Sequence, residues 1–188
     1  TAHVFSEDAL PGLIRAGIDC IEHGFMITAP TIQRMVDTGT FLVSTNALTE
    51  NWDISRLPET ARAKAEEVFP KAKQSLSDAI EAGVKIACGS DAPAIWHGRN
   101  AEELVVLVAR GMTPLQALRA ATIVSAELID APDLGRIAPE MLADIVGVPG
   151  DPLGPAVAAA PVDAAGKALW TAFCAPSELP LSGAPAKP

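Results

Sequence analysis

The stretch Ala82-Gly83-Val84-Lys85-Ile86-Ala87-Cys88-Gly89-Ser90-Asp91 decides the fold. A helical run ends at a glycine, a short apolar run follows, and small polar residues with a carboxylate close it. Glycine just past a helix end takes the left-handed conformation without a Cβ penalty. A short apolar run after it reads as a buried parallel strand. The same phrase stands twice upstream. Ala16-Gly17 precedes Ile18-Asp19-Cys20-Ile21-Glu22-His23-Gly24, and Thr38-Gly39 precedes Thr40-Phe41-Leu42-Val43-Ser44-Thr45. Short strands alternating with helices give an α/β chain with a parallel sheet.

The helices between these strands are readable. Ser6 is placed to cap a helix over 7–16, with Glu7 and Asp8 near the positive end of its dipole. Pro11 inside that stretch moves the start later. The helix over 29–37 carries Pro30 in its first turn, where proline is tolerated. The long amphipathic run 59–81 contains Pro70, which predicts a kink or a division. Asn100 is placed to cap a helix over 100–110, and Thr113-Pro114 to start another reaching Ile129. From Leu134 the character changes, and Ala143-Asp144-Ile145-Val146-Gly147-Val148 reads as a strand outside the repeat. After Gly154 the chain is rich in Ala and Pro, and the reading there is poor order, with Trp170 and Phe173 docking locally.

Composition narrows the function classes. The chain has 188 residues, enough for one domain with a core, and its 49% hydrophobic and 20% charged content is ordinary for a soluble globular protein. A net charge of −9 argues against a nucleic-acid partner, which needs a basic surface. No run approaches the roughly 18 apolar residues of a membrane span, and the start shows no basic signal-peptide region. The three cysteines follow no framework spacing, so a reduced, cytoplasmic setting is expected. The chain opens directly on the strand-like Ala2-His3-Val4-Phe5, which predicts a fragment whose upstream half is absent.

In parallel αβ barrels the functional groups sit at the C-terminal ends of the strands. The first strand carries His3, the second ends in His23 and the last in Asp91. The third ends in Ser44-Thr45, polar but weak ligands. Two neutral imidazoles and a carboxylate suit Zn²⁺ or a similar divalent metal. Each residue also has a plainer role. A lone strand histidine is often structural, and Asp91 in Ser-Asp-Ala-Pro is good turn chemistry. His97, in His97-Gly98-Arg99-Asn100, either touches substrate or only precedes the Asn100 cap. Cys20 and Cys88 each stand three residues before a candidate ligand. Alternation points them to the other face as packing residues, with Glu22 turned toward the helix layer.

Taken together, Thr-Ala-His-Val at 1–4, Ala-Gly-Ile-Asp-Cys-Ile-Glu-His-Gly at 16–24 and Ala-Gly-Val-Lys-Ile-Ala-Cys-Gly-Ser-Asp-Ala at 82–92 resemble the amidohydrolase superfamily. The nearest branch is that of imidazolonepropionase-like and Xaa-Pro dipeptidase-type enzymes. His97 to Leu104, Gly111 to Pro114, Ala117 to Thr122, Leu142 to Val146 and Gly150 to Leu153 extend the likeness over about residues 1–153. The resemblance implies the C-terminal half of a TIM-type (β/α)8 barrel over 1–133, part of a small β-sandwich domain over 134–153, and a tail over 154–188. It implies hydrolysis of an amide or peptide C–N bond at a binuclear centre of divalent metal, Zn²⁺ first. His3 and His23 match the metal-binding histidines of strands five and six. Asp91 matches the strand-eight aspartate that touches the metal and carries the proton. Asn46 to Leu57 follows the strand-seven equivalent, so Asn46 and Trp52 join His97 as candidate substrate contacts, for a small or dipeptide-like substrate. An ordinary loop with one packed Trp reads equally well.

The departures are as informative. The family's His-x-His pair and bridging lysine lie upstream of Thr1. Ala138 to Leu142 stands where a Pro-Gly-Lys-like turn is usual, and the tail after Leu153 departs from the pattern. One copy of this chain is therefore expected to be inactive alone. The rival expectation is a non-catalytic half barrel, or degraded remnant. Its open sheet edges invite a homo-oligomer in which two copies close one barrel.

Overall fold

The fold is a computed structural model that describes residues 1–95, 97–147 and 151–153. Among these, four strands form one parallel sheet in sequential order: β1 (Ala2–Val4), β2 (Cys20–His23), β3 (Phe41–Ser44) and β4 (Ile86–Cys88). Helices return the chain between neighbours: α1 (Leu10–Arg15), α2 (Ala29–Thr38), and between β3 and β4 the short α3 (Ala47–Asn51) with the long α4 (Glu59–Ala82). After β4 come α5 (Glu102–Ala109), α6 (Pro114–Arg119), a π-helical turn (Ala120–Val124) and α7 (Ser125–Leu128). Because every strand runs the same way, all four C-terminal ends and the loops after them lie on one rim.

The glycine-punctuated phrase does what its chemistry requires. Gly39 and Gly83 take φ of 71° and 84° directly after α2 and α4, and their amides close on carbonyls of the last helical turn. Register then sorts the side chains. Ala2, Ile21, Leu42 and Ile86 stand side by side across the sheet. Ile21, Leu42 and Ile86 are at most 3% exposed, and they share one apolar cluster with Leu10, Ile14, Met35, Leu76, Ala79, Leu104 and Leu107 from the helices. Full burial of each such side chain contributes about 1.5–3 kcal/mol, so this row fixes which face the helices cover.

That row corrects one expectation. Glu22 does not turn toward the helices. It stands in the row of His3 and Val43, on the opposite face. Cys20, two residues earlier, shares that face and donates its thiol to Glu22. The expectation assumed that His23 keeps strand alternation, but its φ is 70°, so the period of two ends at Glu22.

Other elements differ for local reasons. The first helix begins as a 3-10 turn (Glu7–Ala9) and becomes α-helical at Leu10, beside Pro11. Ser6 makes no side-chain cap. Instead the carboxylate of Glu7 accepts from the Thr28 amide at 3.0 Å and from the hydroxyls of Thr28 and Thr31, tying the turn after β1 to the start of α2. Pro70 leaves α4 in one piece from Glu59 to Ala82. Both Pro70 and Glu66, whose carbonyl loses its partner, lie on the exposed side, and Val68, Ala72 and Leu76 anchor the opposite side in the core. Asn100 does not cap α5. The chain turns through Arg99 and Asn100 first, and Ala101 occupies the cap position. Thr113 forms a full capping box with Gln116. Residues 143–147 form no strand: no neighbour pairs with them, and Ile145 is 56% exposed. Val148, Trp170, Phe173 and the tail from Gly154 lie outside the described residues.

Candidate metal centre

Two of the three expected ligands meet on the rim. The Nε2 of His23 lies 2.8 Å from the Nδ1 of His3. His23 is buried, while His3 is open to solvent. The positive φ at His23, the last residue of β2, is a conformation a bulky residue rarely takes without a constraint. The constraints are visible. Its Nδ1 lies 2.7 Å from the hydroxyl of Thr45, at the end of β3. Phe5 meets His3 and Phe25 meets His23 edge-on, with ring centroids 4.6 Å and 5.7 Å apart.

The electrostatics favour a neutral His23. Burial pushes its imidazole below the ordinary value. The charge of Asp91 opposes this, His3 adds to it and Glu22 opposes it. A neutral imidazole is the form a cation needs. If the Thr45 hydroxyl accepts from Nδ1–H, the lone pair stands on Nε2, the atom that faces His3. Two nitrogens sharing one tetrahedral Zn²⁺ at about 2.0–2.1 Å stand roughly 3.3 Å apart. At 2.8 Å the two nitrogens are hydrogen-bonded and nearer than that spacing, so the exposed His3 must turn for both to share one ion; the donor set itself fits a borderline-soft divalent cation.

Asp91 does not complete a cluster. It sits just past β4 with φ 54°, exposed, near enough for its charge to act on His23. Among the described residues no group of three His, Cys, Asp or Glu side chains converges on one point. The candidate substrate contacts divide in the same way. His97 lies exposed in the loop after β4. Trp52 is 40% exposed and tilts against Phe69, with ring centroids 6.4 Å apart. Asn46 is almost wholly buried just past the end of β3, and its Oδ1 meets no hydrogen-bond donor among the described residues.

Sequence reasoning missed the groups that hold this rim. Glu102 and Glu103 open α5, and both are buried. Glu103 accepts from the Ser44 hydroxyl, from the Asn46 amide at 3.0 Å and from the Ala47 amide at 2.6 Å. Glu102 accepts from the guanidinium of Arg99 and from Asn51 Nδ2 at 2.6 Å. The pair thus staples the loop after β3 and the loop after β4 to one helix start. Two adjacent acids before an apolar run read as ordinary first-turn helix residues. Their burial could not be read from the local pattern. Thr45 was seen only as a weak ligand, and its role is to hold His23. In the loop after β2, Ser75 of α4 bonds both the amide and the carbonyl of Ile27.

The model of the amidohydrolase family matches residues 1–171, running past Leu153 into the tail. The chain belongs to the amidohydrolase family. This amidohydrolase chain is 47% identical over 126 residues to an uncharacterized protein of Mycobacterium tuberculosis, covering 64% of the chain and 34% of that protein. It is 31% identical over 160 residues to the ochratoxinase of Aspergillus niger, covering 81% of the chain and 33% of the enzyme. The crystal structure of that ochratoxinase superposes with a TM-score of 0.72 at 32% identity, over 81% of this chain and 35% of that one. A Xaa-Pro dipeptidase with methionine bound in its active site superposes at 0.76 with 35% identity, over 80% of this chain and 39% of that one. The amidohydrolase chain therefore spans about a third of the length of the curated relatives it matches. Its named relatives are hydrolytic enzymes.

Proposed function

We propose that this chain supplies the C-terminal half of a (β/α)8 hydrolase that cleaves an amide or peptide C–N bond. In this reading His3 and His23 are ligands to a divalent cation, Zn²⁺ first, and Asp91 carries the proton. One observation carries it: the His3 and His23 nitrogens face each other at 2.8 Å on the C-terminal rim of neighbouring parallel strands. Two relatives described as a Xaa-Pro dipeptidase and a prolidase complexed with N-methylphosphonate-L-proline support the peptide-like substrate class.

The residues divide the work. A bound cation supplies Lewis-acid chemistry. His23, held by Thr45, presents Nε2. His3 presents Nδ1 from the solvent side and can turn, since little covers it. The carboxylate of Asp91, exposed and within electrostatic reach of His23, is free to take a proton from water and return it to a leaving amine. His97 and Trp52, both exposed beyond the strand ends, offer surface for a small or dipeptide-like substrate, while Asn46, 1% exposed, would have to be uncovered to reach it.

The test is metal analysis and hydrolysis of Xaa-Pro dipeptides and N-acyl amino acids by the full barrel of which this chain is proposed to be half. Stoichiometric zinc is expected, and Asp91→Asn is expected to lower kcat about 10²–10⁴-fold with the metal retained. Unchanged hydrolysis in that variant removes Asp91 from the chemistry. A second reading, an assembly module rather than an enzyme, rests on the edges of the sheet, since β1 and β4 each have one strand neighbour among the described residues. Activity with bound metal would exclude it.

A further inference from the structure

The fully buried carboxylate of Glu103 has no place in the chemistry just described, yet it is spent on one turn. All three of its contacts, the Ser44 hydroxyl and the Asn46 and Ala47 amides, bracket a single residue, Thr45. Thr45 in turn holds the Nδ1 of His23 at 2.7 Å, and His23 Nε2 faces His3. Thr45 is 3% exposed and Ser44 is wholly buried, so neither is held by solvent. The Ser44 side chain before Thr45 and the Asn46 and Ala47 amides after it are fastened to the start of α5, a helix distant in sequence, while the Thr45 hydroxyl is left to the imidazole.

We propose that Glu103 is a positioning residue. Through Ser44, Asn46 and Ala47 it fixes the Thr45 hydroxyl, and so holds His23 in the Nδ1–H tautomer with Nε2 presented to His3. This rests on the reading of His23 as a metal ligand, but its physical content is the tautomer. Helix packing alone needs no carboxylate at this place. An apolar side chain would fill it without the desolvation of a charged group. A carboxylate with three donors does what an apolar group cannot: it sets the rotation of the turn about the strand end.

Three variants and two measurements test it on the whole chain. Thr45→Val removes the hydroxyl, Glu103→Gln loosens the turn, and the double variant combines them. Zinc affinity, measured by competition with a chromogenic chelator, is expected to fall about tenfold in each single variant, the scale of losing a partner that orients a ligand. In the double variant it should fall no further than in Thr45→Val, because Glu103 acts through Thr45. Thr45→Ser, which keeps the hydroxyl, should restore most of the affinity. Nitrogen-15 NMR of His23 should show the Nδ1–H tautomer in the parent and a mixture in Glu103→Gln. Additive losses, or an unchanged tautomer, overturn the proposal. Should Glu103→Gln fail to fold, Ser44→Ala removes one of the three contacts. A mixed tautomer there supports the proposal, and an unchanged one overturns it. A parent that binds no zinc yet shows the fixed tautomer, lost on loosening the turn, sinks the metal reading and leaves the positioning role standing.

Discussion

At the scale of single residues, Glu103 is where position and protonation are coupled. Burial pushes its carboxyl from 4.5 up to about 7, while the Ser44 hydroxyl and the Ala47 and Asn46 amides pull it down. The folded chain then binds this proton more tightly than the unfolded chain does. The Glu103 contribution to stability is complete below about pH 4.5 and is lost as pH rises through about 7. Between about pH 5 and pH 8 the unfolding free energy of the parent, from urea titration, should therefore fall relative to Glu103→Gln, by an amount on the order of 2–3 kcal/mol. A gap that does not change over this range would show the three donors holding a carboxylate throughout. Gly89 argues a second residue-scale effect. A Cβ there would meet Val43 Cγ1 at 2.8 Å and the Ser44 carbonyl at 3.1 Å, while the Gly89 amide bonds that same carbonyl at 2.8 Å. Gly89→Ala should push β4 away from β3 just before Asp91, at a cost of about 1–3 kcal/mol by thermal denaturation. Unchanged melting would mean that the strands have room to spare.

At the scale of elements, the helix starts carry different weights. Thr113 and Gln116 satisfy each other's backbone at the head of α6, with the Gln116 amide on the Thr113 hydroxyl at 3.2 Å. Thr113→Ala should cost about 1 kcal/mol by urea titration, and Ser6→Ala almost nothing, because Ser6 makes no cap. Equal costs would contradict this. The contrast shows what the sequence could and could not say. The αβ repeat was legible because glycine after a helix and apolar runs between glycines are local signals, and Gly39 and Gly83 behave as their chemistry dictates. The meeting of His3 and His23 was legible once a parallel sheet was assumed. The face of Glu22 was not, because the left-handed turn at His23 cancels the alternation from which it was read. Nor was the burial of Glu102 and Glu103: Arg99 pairs with Glu102 from three residues away, but their other partners lie about fifty to sixty residues away and leave no periodic trace.

At the scale of the whole molecule, the sheet is a row with two ends. β1 and β4 pair on one side only among the described residues, and the face opposite the helices carries His3, Glu22, Val43 and Ala87 in rows. A parallel sheet is usually covered on both faces, and unpaired strand edges recruit partners. The relatives extend well beyond the matched region, so in them further chain can lie against this face. For the 188-residue chain by itself, the expectation is that a second copy pairs with these edges. Light scattering should then give a mass of roughly twice 19.5 kDa. Zinc at about a hundred times its dissociation constant should stabilise the assembly by about 2.7 kcal/mol, reversed by a chelator. The two readouts separate the possibilities. A monomer of 19.5 kDa whose melting temperature zinc does not move would leave the rim histidines structural and the edges idle. A monomer stabilised by zinc would keep the metal site and dismiss the second copy.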